Sequence, residues 1–99
     1  MAAVYYIVTY DIEDMEEFQK YPPQVMALFP KYGAEVLASD TEAICLEGTA
    51  KTMNAIIKFP SKESALSCYN SPEYQEIKKI RLNSTKNGTM VLVKQFNPA

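Results

Sequence analysis

Two prolines, each next to a serine, narrow the possible folds of this chain more than any other feature. Phe59-Pro60-Ser61 closes an apolar run, and Ser71-Pro72-Glu73-Tyr74 begins ten residues after Ser61. Each serine can accept a hydrogen bond from an unpaired N–H in a first helical turn. Pro72 fills a first-turn position whose N–H has no helical partner anyway. Two successive helices, Ser61 to Asn70 and Ser71 to Leu82, are therefore expected directly after a strand. In the second, Tyr74, Ile77 and Ile80 recur at three-residue steps and form its inward stripe.

The strand before Pro60 reads as Thr52 to Phe59. Met53, Ala55, Ile57 and Phe59 share one face, while Thr52, Asn54 and Lys58 share the other with Ile56. Val4 to Tyr10 is a β-branched and aromatic run, apolar on both alternating faces, and Thr89 to Phe96 repeats that pattern at the other end of the chain. Lys86-Asn87-Gly88 reads as a turn before it. Asp14 with Glu17 makes an N-cap pattern like a capping box, so a helix is expected to start there. Met15, Phe18, Pro22, Val25 and Phe29 give it one apolar stripe. Pro22 and Pro23 predict a kink or two short helices, and Gly33 predicts a C-terminal stop. Glu35 to Ala38 and Ala43 to Glu47 read as a short hairpin around Ser39-Asp40-Thr41.

This order is an α+β pattern, β-α-β-β-α-β, matching the split arrangement of a ferredoxin-like sandwich with an antiparallel sheet. Right-handed crossovers put both helical layers on one face of the sheet. The other face is left bare although three strands carry apolar groups on both sides. So large an apolar surface exceeds what monomers usually expose, and a second copy packed sheet to sheet is the expected cover.

Ninety-nine residues, 47% hydrophobic and 22% charged, fit one domain spanning 1–99. A formal net charge of −2 and a pI near 5.1 provide no field that would attract a nucleic acid or an anionic membrane. Lys78, Lys79 and Arg81 cluster at the end of a predicted helix, where cations complement its dipole. No apolar run approaches membrane-spanning length and no positive region leads into one, so a cytoplasmic protein is expected. Cys45 and Cys68 lack the spacing of a metal site or redox dithiol and read as small buried hydrophobes.

Phe59-Pro60-Ser61, the run Tyr69-Asn70-Ser71-Pro72-Glu73-Tyr74-Gln75, Arg81-Leu82 and Val91-Leu92-Val93 together resemble the family known as domain of unknown function 1330. That family lies within the dimeric alpha-beta barrel superfamily. The resemblance extends over almost the whole chain, including Asp14, Phe18, Tyr21 and Leu46-Glu47-Gly48. It implies a homodimer of ferredoxin-like subunits and no particular reaction. Cys68 stands where the family often has tryptophan, a single Gly33 follows Tyr32 where a glycine pair is common, and Leu37-Ala38-Ser39 lacks an arginine often found there. These departures bear on ligand choice and leave the expected fold unchanged.

The chain has no histidine. A histidine-held haem, a histidine base and hydrolysis through a Ser-His or Cys-His pair are thereby excluded. No cofactor or metal is expected. Asp11, Glu13, Asp14, Glu16 and Glu17 are oxygen donors, but their spacing matches no calcium loop and the helix dipole accounts for them.

The candidate ligand residues are Tyr6, Tyr21, Lys58, Tyr69, Ser71, Glu73 and Tyr74. The tyrosines offer flat apolar surface with a polar tip. Ser71, Glu73 and Tyr74 gather at a helix start, where Ser71 reads most simply as a cap. Lys58, in a strand otherwise fit for burial, would be an anion anchor or a base if desolvated, or a long stem reaching water. The expected function is a homodimer binding a small apolar or aromatic metabolite between helices and sheet. A cofactor-independent monooxygenase or isomerase, and an interaction protein with no ligand, remain alternatives.

Overall fold

The computed structural model describes residues 2–98 and arranges them as one antiparallel four-stranded sheet with helices on one face. In chain order the elements are β1 (Val4–Ile12), α1 (Met15–Phe18), α2 (Tyr21–Leu28), a 3-10 turn (Phe29–Tyr32) and β2 (Glu35–Asp40). β3 (Met53–Phe59), α3 (Lys62–Asn70), α4 (Pro72–Ser84) and β4 (Thr85–Lys94) follow. The sheet order is β2-β3-β1-β4, which makes the fold ferredoxin-like.

The helix starts follow from their caps. The Glu17 N–H donates to the Asp14 carboxylate at 3.1 Å, but the Glu17 side chain pairs with Lys20 at 2.8 Å instead of closing a reciprocal box. The Ser64 and Tyr74 N–H groups donate to the Ser61 and Ser71 hydroxyls, both at 3.1 Å. Two short helices form where the prolines predicted a break. Pro22 and Pro23 fall in the first turn of α2, where their missing donors are harmless. The inward stripe differs from the one expected. Met15 and Pro22 face water, while Tyr21 and Leu28 join Phe18, Val25 and Phe29 in the core. Gly33 ends the 3-10 turn with φ +71°, the left-handed conformation glycine adopts without steric penalty.

Three local expectations are corrected. Residues 41–52 form no strand; they run as an exposed segment after β2, and the Cys45 thiol is exposed there while Cys68 is buried in α3. The Lys86-Asn87-Gly88 signal is a bulge inside β4, which already begins at Thr85. Between Thr9↔Thr89 and Asp11↔Lys86 the register slips by one residue, and Asn87 takes φ +56°. β4 ends at Lys94, so Phe96 lies beyond it and is exposed.

Strand alternation decides what each face holds. Val4, Tyr6, Val8 and Tyr10 of β1, with Met53, Ile57 and Phe59 of β3, face the helices and form the core with Phe18, Val25, Phe29, Ala65, Cys68 and Tyr74. On the open face Ile7 sits between Ile56 of β3 and Val91 of β4, and Val93 flanks Tyr5. Ile56, Val91 and Val93 stay 36%, 51% and 39% exposed, so part of the bare side of the sheet is exposed apolar surface.

Candidate functional site

The helix-side face of the sheet does not close completely. A partly open recess of about 250 Å³ lies beneath α2, bounded by β1, β2, β3 and the edge of β4. Its wall is almost wholly apolar, with Val8, Val25, Ile57 and Met90 among its residues; Ser39 brings a hydroxyl, and Tyr10 and Tyr21 also line it. A bulge in β2 contributes to this shape. Val36 pairs with Ile57 and Ala38 with Ile56, so one extra residue lets both Val36 and Ser39 face the recess.

Continuous with one wall lies an aromatic cluster that shares Tyr10, Phe18 and Tyr21 with the recess. Tyr10, Phe18 and Tyr21 pack in series, with ring centroids 5.7 and 5.8 Å apart. The Tyr21 hydroxyl is 2.9 Å from the Tyr74 hydroxyl, and the Tyr74 ring packs on Tyr69 at 5.4 Å. The Arg81 guanidinium lies 5.8 Å from the Tyr10 ring centroid, and its charged form is supported by Tyr74 and Tyr21. Arg81 is 6% exposed, and its Nε is buried with no hydrogen-bond partner. Among the described residues no carboxylate forms an ion pair with it.

Burial sets the protonation states. It pushes the Tyr10 phenol up to about 12 and raises Tyr21 further, with Tyr74 reinforcing the shift at Tyr21. Tyr6 is raised mainly by burial, and its hydroxyl donates to the Ala65 carbonyl. Burial works against the charge on Arg81, but Tyr74 and Tyr21 outweigh it and raise its pKa. At neutral pH Tyr10 and Tyr21 are thus neutral phenols beside one buried cation.

The seven candidate residues separate into three groups. Tyr21, Tyr69 and Tyr74 converge, with Tyr6 in the same core, but only Tyr21 lines the recess. Ser71 is fully occupied at the α3–α4 junction, donating to the Cys68 carbonyl at 2.7 Å while accepting from Tyr74. Glu73 is exposed in the first turn of α4. Lys58 lies on the opposite, open face, paired across strands with Tyr5 and Glu35, and does not approach the cluster.

Sequence reasoning placed Arg81 with Lys78 and Lys79 as a helix-end cation, and Arg81 does lie in the last turn of α4, which runs to Ser84. The structure adds that it is buried and faces the core. A signal was present: Arg81 follows Tyr74 by seven residues and Ile77 by four, the spacing of one helical stripe. Lys78 instead lies 4.9 Å from the Tyr69 ring centroid, and Lys79 pairs with Glu76.

The acidic residues near α1 are engaged elsewhere. Asp11 accepts from the Asn87 side chain and the Thr52 N–H, and Glu13 pairs with Lys86. Among the described residues no three His, Cys, Asp or Glu side chains come together as a metal site, and no helix is long and apolar enough to cross a membrane.

The family model described as Domain of unknown function (DUF1330) matches residues 3–96. Among curated proteins none matches the chain. Among solved structures, a protein of unknown function from Rhodopseudomonas palustris is similar with a TM-score of 0.82 at 15% identity, over 98% of this chain and 85% of that one. A dimeric ferredoxin-like protein of unknown function from Jannaschia sp. CCS1 matches with a TM-score of 0.72 at 14% identity, over 96% and 99% of the two chains. A provisionally named antibiotic biosynthesis monooxygenase from Nitrosomonas europaea matches at 0.61 and 8% identity, over 99% and 95%. At these identities the likeness speaks to the fold.

Proposed function

The chain belongs to the Domain of unknown function (DUF1330) family, and we propose that it works as a homodimer that holds a small apolar or aromatic molecule in the recess beneath α2. The recess itself carries this reading. It is a concave, mostly apolar space with Ser39 and two tyrosines in its lining, the usual form of a small-molecule site. Its volume is below the roughly 300–1,000 Å³ of drug-sized pockets, which suits a molecule of one or two rings.

Dimerisation is supported by the open sheet face, where Ile7, Ile56, Val91 and Val93 form an apolar surface with no cover in the single chain. Packing two such faces together removes apolar area from water at roughly 25 cal/mol per Å². Structural neighbours described as dimeric accord with this. The 99 residues act as one unit, and two free cysteines suit a cytoplasmic setting.

The test is native mass spectrometry of gently purified protein, with thermal unfolding against a panel of one- and two-ring metabolites. A bound mass or a raised midpoint is expected, since a ligand at a hundred times its Kd adds about 2.7 kcal/mol of stability. Neither effect with any compound would remove the ligand-binding reading.

A second reading, a cofactor-independent monooxygenase or isomerase, is favoured by the same recess and by the provisional name of the Nitrosomonas europaea neighbour. Such chemistry relies on a reactive substrate held away from water. Oxygen uptake above the uncatalysed rate with quinol-like substrates distinguishes it from binding alone.

A further inference from the structure

Resting on the recess as a ligand site, the geometry points to the class of molecule it takes: an apolar one- or two-ring compound with a single carboxylate, held at the Tyr10 and Tyr21 end against the charge of Arg81. The basis is an imbalance. Arg81 is nearly fully buried, no carboxylate pairs with it among the described residues, and its Nε is left without a partner. Removing a guanidinium from water is costly unless an anion or a full set of acceptors replaces the water, and two neutral phenols do so only in part.

The recess reaches this cation through shared residues. The Tyr10 ring lines the recess and also packs against the guanidinium. The Tyr21 ring lines it too, while its hydroxyl belongs to the cluster. In the Tyr21–Tyr74 pair either oxygen can be the donor. A carboxylate at this end therefore fixes one polarity: Tyr74 donates to Tyr21, and Tyr21 donates to the anion. In that arrangement Arg81 supplies the balancing charge.

The remaining wall limits the ligand. Met26, Met53 and Met90 bring adaptable thioethers, and Ser39 is the only polar side chain away from the tyrosines. A second charge on the ligand would lie against this apolar surface unpaired, which disfavours dianions.

The experiment compares naphthalene-2-carboxylate with its neutral isostere naphthalene-2-carboxamide by calorimetry on the full chain near neutral pH. The carboxylate is expected to bind at least about tenfold more tightly, the scale of one charge-assisted hydrogen bond. Arg81→Met is expected to reduce this preference to about threefold or less, and Arg81→Lys to restore part of it. Should the Arg81 variants not fold, Tyr21→Phe, which leaves the cation in place, is expected to lower the preference in protein that still melts cooperatively. Equal affinities in the unaltered protein would overturn the carboxylate assignment and leave the recess as a site. A preference untouched by every variant would also overturn it. Binding of neither probe would remove the assignment together with the recess reading.

Discussion

The Tyr21 and Tyr74 hydroxyls meet at 2.9 Å inside the core, joining the first turn of α2 to the first turn of α4. The two residues are 53 apart in the chain, and Tyr74 has no exposed surface. Because the pair is buried, deleting one hydroxyl leaves the other short of a partner. Tyr21→Phe and Tyr74→Phe are each expected to destabilise the fold by about 1 kcal/mol, and the double variant by less than the sum. Urea unfolding of the four proteins measures the coupling; strict additivity would show that the hydroxyls do not interact.

Stability should decline at alkaline pH, for reasons that begin with burial. Burial pushes the Cys68 thiol up to about 11 from its ordinary 9.0, and Tyr10 up to about 12 from 10.0. Both groups are uncharged when protonated, so the unfolded chain loses these protons first as pH rises. Their contribution is complete below pH 9 for Cys68 and pH 10 for Tyr10, and is lost as pH climbs through the folded values. Denaturant midpoints between pH 8 and 11 should fall, and Cys68→Ala should flatten the lower part of that decline.

The two thiols should react at very different rates. Cys45 is exposed in residues 41–52, whereas Cys68 has no exposed surface. A disulfide reagent at pH 8 should modify one thiol per chain quickly and the second only in denaturant. Prompt modification of two would contradict the packing of α3 on the sheet.

Gly33 and Gly48 both adopt positive φ, yet they should tolerate alanine differently. At Gly33 an added Cβ would lie 3.1 Å from Pro60 Cγ, while at Gly48 nothing lies within 4 Å. Gly48→Ala is expected to lose only the backbone preference, about 1 kcal/mol, and Gly33→Ala more, through the added crowding against Pro60. Equal shifts in thermal unfolding would show that the Pro60 contact does not matter.

The open face gives a test of assembly. Val91 is 51% exposed beside Ile7, so lysine there can reach water in a single chain but would place a charge inside a sheet-to-sheet interface. Sedimentation is expected to show a dimer for the unaltered protein and a monomer for Val91→Lys, with the circular dichroism unchanged. A monomer in both would remove the homodimer proposal.

Ser61, Ser71 and Pro72 mark helix starts because the bonds they make or omit are local, the hydroxyl partners of the serines lying three residues away. Strand alternation is equally local, and it predicted which faces of β1 and β3 would be apolar. The strand expected at Ala43 to Glu47 did not form, because an alternating apolar pattern needs a neighbouring strand and none reaches it. Lys86-Asn87-Gly88 reads as a turn, but pairing with β1 keeps the chain in the sheet, where the signal becomes a bulge with Asn87 at positive φ.

The order of strands and helices, the caps and the apolar faces were determined by the sequence, since each depends on residues a few positions apart. Strand alternation already put Lys58 on the face away from Met53, Ile57 and Phe59, whereas tertiary packing decided that Tyr10, Tyr21, Tyr74 and Arg81, from three elements, come together. Burial of a charge depends on everything packed around it. One helical stripe could show that Arg81 turns inward, but only the assembled core shows that it lacks an acidic partner there.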